Sequence, residues 1–265
     1  MNWVQRRKLG YIAIVVAFFG IVAFAIFHKV TSVAPSCFDN KKDGLETGID
    51  CGGGCNTYCA NELSDPMVEW VRVFPVSPGI VTAVAYIQHN HPAAAAENVG
   101  YEFKLYDSTN RILADRKGTT YLGPAGNSAI VETLIPIGNA DASAVSLARF
   151  SFIDPIHWQK VSPSFSQVVI NTDRNSTESF SNGKQVSTRL VANLENQSRY
   201  NFTNLDAIAI FYDKDGNALT ASKILVPQLS ALQNKTVYFT WPYTLTNIAR
   251  TEIIPRFNPF TTQSL

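Results

Sequence analysis

An internal repeat constrains this chain more than any other feature. Tyr106-Asp107 recurs as Tyr212-Asp213, a spacing of 106 residues. At the same spacing Val84 meets Leu190, Asn90 meets Asn196, Asn98 meets Asn204 and Leu113 meets Leu219. After an offset change of two, residues 127–131 face 235–239, and near the ends Leu147-Ala148-Arg149 parallels Ile248-Ala249-Arg250. The landmarks keep their order, which is the mark of duplication. Such a chain is expected to fold as two domains of about 100 residues each.

Each copy reads as strands. Beyond Asp65, short apolar runs of alternating polarity are separated by Gly, Pro, Asn and Asp. In the first copy Tyr101, Phe103 and Leu105 alternate with Glu102 and Lys104, as a half-buried strand should. In the second, Ile208, Ile210 and Tyr212 are expected to take the same part. Residues 83–87 and 188–192 are expected as first core strands, each ending at a polar turn near Asn90 or Asn196. Asp107-Ser108-Thr109-Asn110 and Asp213-Lys214-Asp215-Gly216-Asn217 then read as turns, because an Asp side chain bonds back to the backbone two residues on. Asp107 and Asp213 are thus turn-formers rather than acid catalysts. The expected fold class is mainly β, with two tandem β-sandwich domains at 65–160 and 161–265.

The N-terminus asks for a membrane. Residues 9–27 carry no charge over 19 positions. At about 1.5 Å per residue, such a helix nearly spans a hydrocarbon core of about 30 Å. Arg6, Arg7 and Lys8 precede it and only Lys29 follows closely, so the basic side should stay in the cytoplasm. The expected layout is a cytoplasmic tail at 1–8, a single-pass signal anchor at 9–30 and a linker at 31–36, with the remainder outside the cytoplasmic membrane. A cleaved signal peptide is the rival reading. Its apolar core is usually shorter, although Ala23-Phe24-Ala25 has the small-x-small form of a cleavage site.

All four cysteines, Cys37, Cys51, Cys55 and Cys59, fall in the segment 37–60. So short a stretch with few apolar residues cannot build a core, and outside the membrane its thiols are oxidised. Two disulfides are the first reading, with three pairings open. Zinc is the alternative, and the isolation of Cys37 from the other three disfavours it. Asp39, Asn40, Asp43, Glu46 and Asp50 crowd the same loop, and calcium favours about six to eight oxygens from a Gly-punctuated loop. Lys41 and Lys42 oppose a cation there, so a polar loop that solvates itself comes first and calcium second.

Two resemblances attach to these residues. Glu46-Thr47-Gly48-Ile49-Asp50-Cys51-Gly52-Gly53-Gly54-Cys55 resembles an ETGxDCGGxC module of exported microbial proteins. That likeness implies a disulfide-bonded spacer or adhesion-associated module with no catalytic role. Phe103-Lys104-Leu105-Tyr106-Asp107 spells F-x-L-Y-D, so the first copy resembles an FxLYD-type domain. The second copy departs from it, keeping only Tyr212 and Asp213 of the motif. The likeness implies a prokaryotic, extracytoplasmic, immunoglobulin-like β-sandwich, and brings no catalytic residues. Asn90, Asn98, Asn196 and Asn204 are expected to serve its turns, and Phe103, Leu105, Tyr106 and Tyr212 its core.

Function classes narrow by exclusion. Without Arg6, Arg7, Lys8 and Lys29 the chain has 18 Lys+Arg against 21 Asp+Glu, a net charge of −3 with no basic cluster, which argues against nucleic acid. No nucleophile elbow, paired-histidine zinc motif or phosphate loop is present. His89 and His91 form a pair without a third ligand and read as surface imidazoles flanking a turn. Trp70, Trp158, Trp241, Tyr86, Tyr121, Tyr200 and Tyr243 are candidates for stacking on a glycan, but a sandwich needs several such rings inside. The expectation is a non-enzymatic protein of the cell envelope that presents two sandwiches to a protein partner. The alternative is an envelope binding module for a glycan or calcium.

Overall fold

A computed structural model of the protein describes residues 3–31, 36–181 and 186–264. Most of the expected linker at 31–36, and Met1 and Asn2 of the expected tail, lie outside these residues. The chain forms two compact units, Met1–Cys55 and Asn56–Leu265.

The first unit holds one helix, α1 (Trp3–Thr31). Every residue from 9 to 27 is exposed. The helix is apolar on all sides, so no polar face is left for water. Arg7–Phe27 is long and apolar enough to cross a membrane. After it comes the cysteine loop, closed by a disulfide between Cys37 and Cys55. Cys51 and Cys59 are disulfide-bonded as well, and no cysteine is free.

Among the described residues the second unit has fifteen strands. The first eight are β1 (Met67–Ser77), β2 (Ile80–His89), β3 (Ala94–Tyr106), β4 (Ile112–Leu122), β5 (Gly126–Pro136), β6 (Leu147–Phe152), β7 (Gln159–Lys160) and β8 (Ile170–Asn171). The rest are β9 (Asn175–Ser181), β10 (Val186–Asn196), β11 (Tyr200–Tyr212), β12 (Ala218–Leu229), β13 (Asn234–Trp241), β14 (Arg250–Arg256) and β15 (Gln263–Ser264). All pairings are antiparallel. The first half has sheets β1-β2-β5 and β4-β3-β6, and the second has β9-β10-β13 and β12-β11-β14. Each pair of sheets encloses a core. One gathers Val81, Ala83, Ala85, Ile87, Phe103 and Leu105, and the other Leu190, Leu194, Phe202, Ala209, Phe211 and Phe239.

A third apolar cluster joins the halves. Phe74, Val84, Tyr86, Ala129 and Val131 on the outer face of β1-β2-β5 pack against Ile208, Ile210, Tyr212, Ala221 and Ile254 on the outer face of β12-β11-β14. Four sheets are therefore stacked in the order β4-β3-β6, β1-β2-β5, β12-β11-β14, β9-β10-β13. Strands β2 and β11 lie in the middle of the two inner sheets and are buried on both faces. Small residues alternate with large ones there, as in Ala207-Ile208-Ala209-Ile210, so one strand fills two cores at once. Ile208 and Ile210 are fully buried. Burying a side chain of this size contributes roughly 1.5–3 kcal/mol.

Register corrects the expected alignment of the copies. β3 and β11 do align at 106 residues, since Tyr101, Phe103 and Leu105 face one core as Ala207, Ala209 and Phe211 face the other. The inward set of β11 is thus not Ile208, Ile210 and Tyr212, which face the other half. In β2 and β10 the inward residues are Ala83 and Ala85 against Leu190 and Ala192, so Leu190 corresponds to Ala83 and not to Val84. In β5 and β13 the inward pair is Ile130 and Val237, again one residue from the expected match. A slip of one residue turns every side chain to the opposite face. At the last strand Leu147 pairs with Tyr106 where Arg250 pairs with Tyr212, two residues from the expected parallel.

Candidate functional site

The repeated Asp does the same work in both copies. Asp107 Oδ1 accepts from the backbone N–H of Thr109 (2.9 Å) and Arg111 (3.0 Å), and Asp213 Oδ1 from those of Asp215 (2.9 Å) and Asn217 (2.8 Å). The Thr109 hydroxyl and these N–H donors favour the ionised form and hold the Asp107 carboxyl down at about 2. Asn110 and Gly216 close the two turns with φ of 61° and 80°, a region open to Asn and Gly. Asn98 and Asn204 share the left-handed conformation within β3 and β11, at 54° and 51°. Phe103 and Leu105 are core residues, while Tyr106 and Tyr212 face out of their sandwiches under Arg149 (5.7 Å) and Arg250 (3.8 Å).

Three carboxylates of the cysteine loop, Asp39, Glu46 and Asp50, accept from its own backbone, while Asp43 Oδ1 is buried without a partner among the described residues. Asp50 accepts from the N–H groups of Asp39 (3.0 Å) and Asn40 (2.9 Å), and Glu46 from those of Asp50 (3.2 Å) and Asp43 (3.4 Å). Gly53 passes so close to Leu45 that a Cβ would lie 1.6 Å from the Leu45 carbonyl oxygen. Carboxylate and glycine positions of the motif thus have local structural reasons. Glu46 lies near the sulfurs of Cys37 and Cys55. Both sulfurs are in a disulfide, so neither is a thiolate able to ligate a metal, and neither carries a proton for the Glu46 oxygen 3.2 Å away.

Asn196 and Asn90 differ. Asn196 is buried, donates to the carbonyls of Tyr200 and Ser230 (2.8 Å each) and accepts from the N–H and hydroxyl of Ser198 (3.0 and 2.7 Å). Asn90 is exposed. By strand register its copy-one counterpart is His89, since His89 pairs with Gly126 just as Glu195, the neighbour of Asn196, pairs with Asn234 at the next step. His89 is not the surface imidazole expected. It is 8% exposed and packs on Trp158 (5.2 Å between ring centroids), with His91 also against that ring (5.3 Å). Burial drives the His89 pKa down to about 4, with His91 acting in the same direction and the Gly123 backbone opposing it. His91 is held by the Ser64 carbonyl at 2.9 Å.

His89 forms part of a cleft of about 170 Å³ at the junction of the halves. Three segments wall it: the β4–β5 connection with the first residues of β5 (123–128), the 3-10 turn Pro163–Gln167 with Val168, and the end of β14 with Phe257. At its edge Arg256 is nearly buried. Its Nη2 donates to Thr120 Oγ1 (2.9 Å) and the Tyr121 carbonyl (2.6 Å), and its Nη1 lies 3.8 Å from Asp206. The Tyr121 hydroxyl donates back to the Arg256 carbonyl (2.8 Å). Burial raises the Tyr121 pKa to about 12. Sequence reasoning missed this cleft because its walls are far apart in the chain. A signal was present only in the isolated Arg256 after Ile253-Ile254-Pro255.

The other aromatics are largely internal. Trp158 and Trp241 are both 3% exposed, and Trp70 stacks on Tyr86 at 5.2 Å beside the inter-half cluster. Tyr86 and Tyr243 cross to the other half, to Glu252 (2.8 Å) and the Pro75 carbonyl (3.1 Å).

No family model and no curated protein matches the chain. Among solved structures it overlays on a β-glucuronidase of Bacteroides uniformis (12% identity, 68% of this chain, 22% of that chain, TM-score 0.23). A β-glucuronidase from glycoside hydrolase family 2 overlays at 8% identity, 84% of this chain, 29% of that chain and TM-score 0.25. The tandem CBM22-1-CBM22-2 domain of Paenibacillus barcinonensis Xyn10C overlays at 8% identity, 76% of this chain, 89% of that chain and TM-score 0.15. The chain spans under a third of the length of the two β-glucuronidases. At these TM-scores the overlays establish no shared fold and assign no function.

Proposed function

We propose that this protein is a non-enzymatic, membrane-anchored component of the cell envelope that holds a rigid pair of immunoglobulin-like sandwiches outside the cytoplasmic membrane for a protein partner. The helix carries this reading: every residue from 9 to 27 is exposed and apolar or small, and a hydrocarbon layer is the solvent that suits it. Arg6, Arg7 and Lys8 set the orientation by the positive-inside rule. Oxidised cysteines fit an extracytoplasmic compartment. The buried cluster between the halves supports a single presenting body, because packing of this kind resists hinge motion. Thiol labelling of intact cells with and without reduction, combined with external protease, tests the reading. Cysteines that label only after reduction, on a chain shaved from outside down to the helix, are expected. Freely labelled thiols on a protected chain would reverse the topology.

A further inference from the structure

We propose that the cleft between the halves binds one uncharged sugar residue, such as the end of a glycan chain. Its volume, about 170 Å³, is below the ~300 Å³ at which drug-sized sites begin. One small ring fits and a longer ligand would leave the cleft beyond it. The charge follows from the lining. Neither Asp nor Glu is among the lining residues, so nothing there attracts a cation. The cation present, Arg256, is already committed to Thr120, Tyr121 and Asp206, and His89 is held neutral by burial. An anion would therefore lose its hydration without gaining a free counter-charge. What the cleft does offer suits a pyranose. Phe165 and Phe257, 6.1 Å apart and inclined by 46°, give an apolar wall for the ring's C–H face. The Ser128 hydroxyl gives a donor and an acceptor for sugar hydroxyls, and Ser166 Oγ, whose own proton goes to the Pro163 carbonyl (2.7 Å), gives an acceptor, while the Ala125 N–H is already given to the His91 carbonyl (3.2 Å).

The cleft needs both halves, so the ligand would bind only the stacked form. This goes beyond the anchored-body reading, and topology data do not decide it. The test is saturation-transfer NMR on full-length protein in phospholipid nanodiscs, with methyl glucoside, galactose and N-acetylglucosamine as uncharged probes and glucuronate and glucosamine as charged ones. Transfer to ring protons of at least one uncharged probe at millimolar concentration is expected, with none to the charged pair. Ser166→Phe and Ala125→Phe each fill the cleft from a different wall and should abolish it, while thermal unfolding checks that each variant is folded. Silence from all uncharged probes, equal transfer to the charged ones, or a signal that survives in a folded filled variant overturns the proposal.

Discussion

Tyr86 of β2 donates its hydroxyl proton to Glu252 of β14 across 2.8 Å, tying the first sandwich to the second through a carboxylate that also pairs with Arg250 at 3.2 Å. Burial and the Glu252 charge push the Tyr86 pKa up, so the phenol stays protonated and keeps donating at any pH the protein meets. Arg72 makes a second tie, reaching the Ala218 carbonyl and Asn217 Oδ1 at 3.3 Å each. Both polar ties edge the apolar cluster of Val84, Ile208 and Ile210. The halves should therefore unfold together.

That coupling can be broken at one residue. Ile210→Glu places a second carboxylate in the apolar layer between sheets, directly across the strand pair from Glu252. Chemical denaturation of the parent is expected to give one transition by both far-UV circular dichroism and tryptophan fluorescence. The variant should lose about 3 kcal/mol or more and split into two transitions. A single unsplit transition in a folded variant would show that the layer does not couple the halves. Tyr86→Phe, which removes only the hydroxyl, should cost about 0.5–1.5 kcal/mol and keep one transition.

His89 gives the pH dependence. Its ordinary value is 6.5 and burial lowers it to about 4. Below pH 6.5 the unfolded chain takes up a proton that the folded chain refuses, so stability should fall as pH drops from about 6.5 to about 4 and then level off for this group. The upper bound is roughly 3.5 kcal/mol, from about 1.4 kcal/mol per unit. His89→Asn installs the side chain that copy two carries at Asn196, which there bonds the Ser230 carbonyl. The variant should fold and lose that fall in stability, as followed by denaturation midpoints between pH 7 and 4. An unchanged slope would place the titration elsewhere.

Asp107 acts lower on the scale. Its folded value, about 2, is below the ordinary 3.8, so the stabilisation is present above about pH 4 and lost as pH falls through 2. Asp107→Asn should be less stable than the parent at pH 7 and nearly equal to it at pH 2. A difference that persists at pH 2 would mean the turn depends on shape and not on the charge.

Much of this was legible in the chain. The mainly β fold followed from period-2 alternation, and the turns at Asp107 and Asp213 from residue chemistry alone. Alternation worked best for β3, where Glu102 and Lys104 face solvent. It failed for β11, because a strand buried on both faces loses its polar phase and reads as a continuous apolar run. Choosing Ile208 and Ile210 as the inward set was the natural error, since they are larger than Ala207 and Ala209. The mismatch at His89 has a related cause. Identity of Asn90 with Asn196 outweighed facing, yet the loops after β2 and β10 differ by one residue in length. The cleft was hidden because it is assembled by stacking, and no local pattern encodes which outer faces meet.

The stack itself poses a question of growth. The face used by half one belongs to β1-β2-β5, whereas half two uses β12-β11-β14, the counterpart of β4-β3-β6. Such head-to-tail contact between unlike faces does not close on itself, so it can repeat indefinitely. The two outer faces are instead polar. On β4-β3-β6, Glu102 bridges Lys104 and Lys117 (2.5 and 3.2 Å), at positions where the second copy has Ile208 and Ile210. On β9-β10-β13, Arg189 bridges Glu178 at 3.7 Å and lies over Tyr238. Charges at these positions would block addition of further sandwiches by desolvation cost. Replacing them in the first copy with the residues of the second, Glu102→Ile with Lys104→Ile, removes that block on one side. Sedimentation velocity is expected to show concentration-dependent self-association of the double variant and none of the parent. A further change of Arg189→Ala on the opposite outer face should strengthen it. A double variant that stays monomeric across the accessible range would mean that the shape of the outer sheets, and not their charge, ends the stack at two.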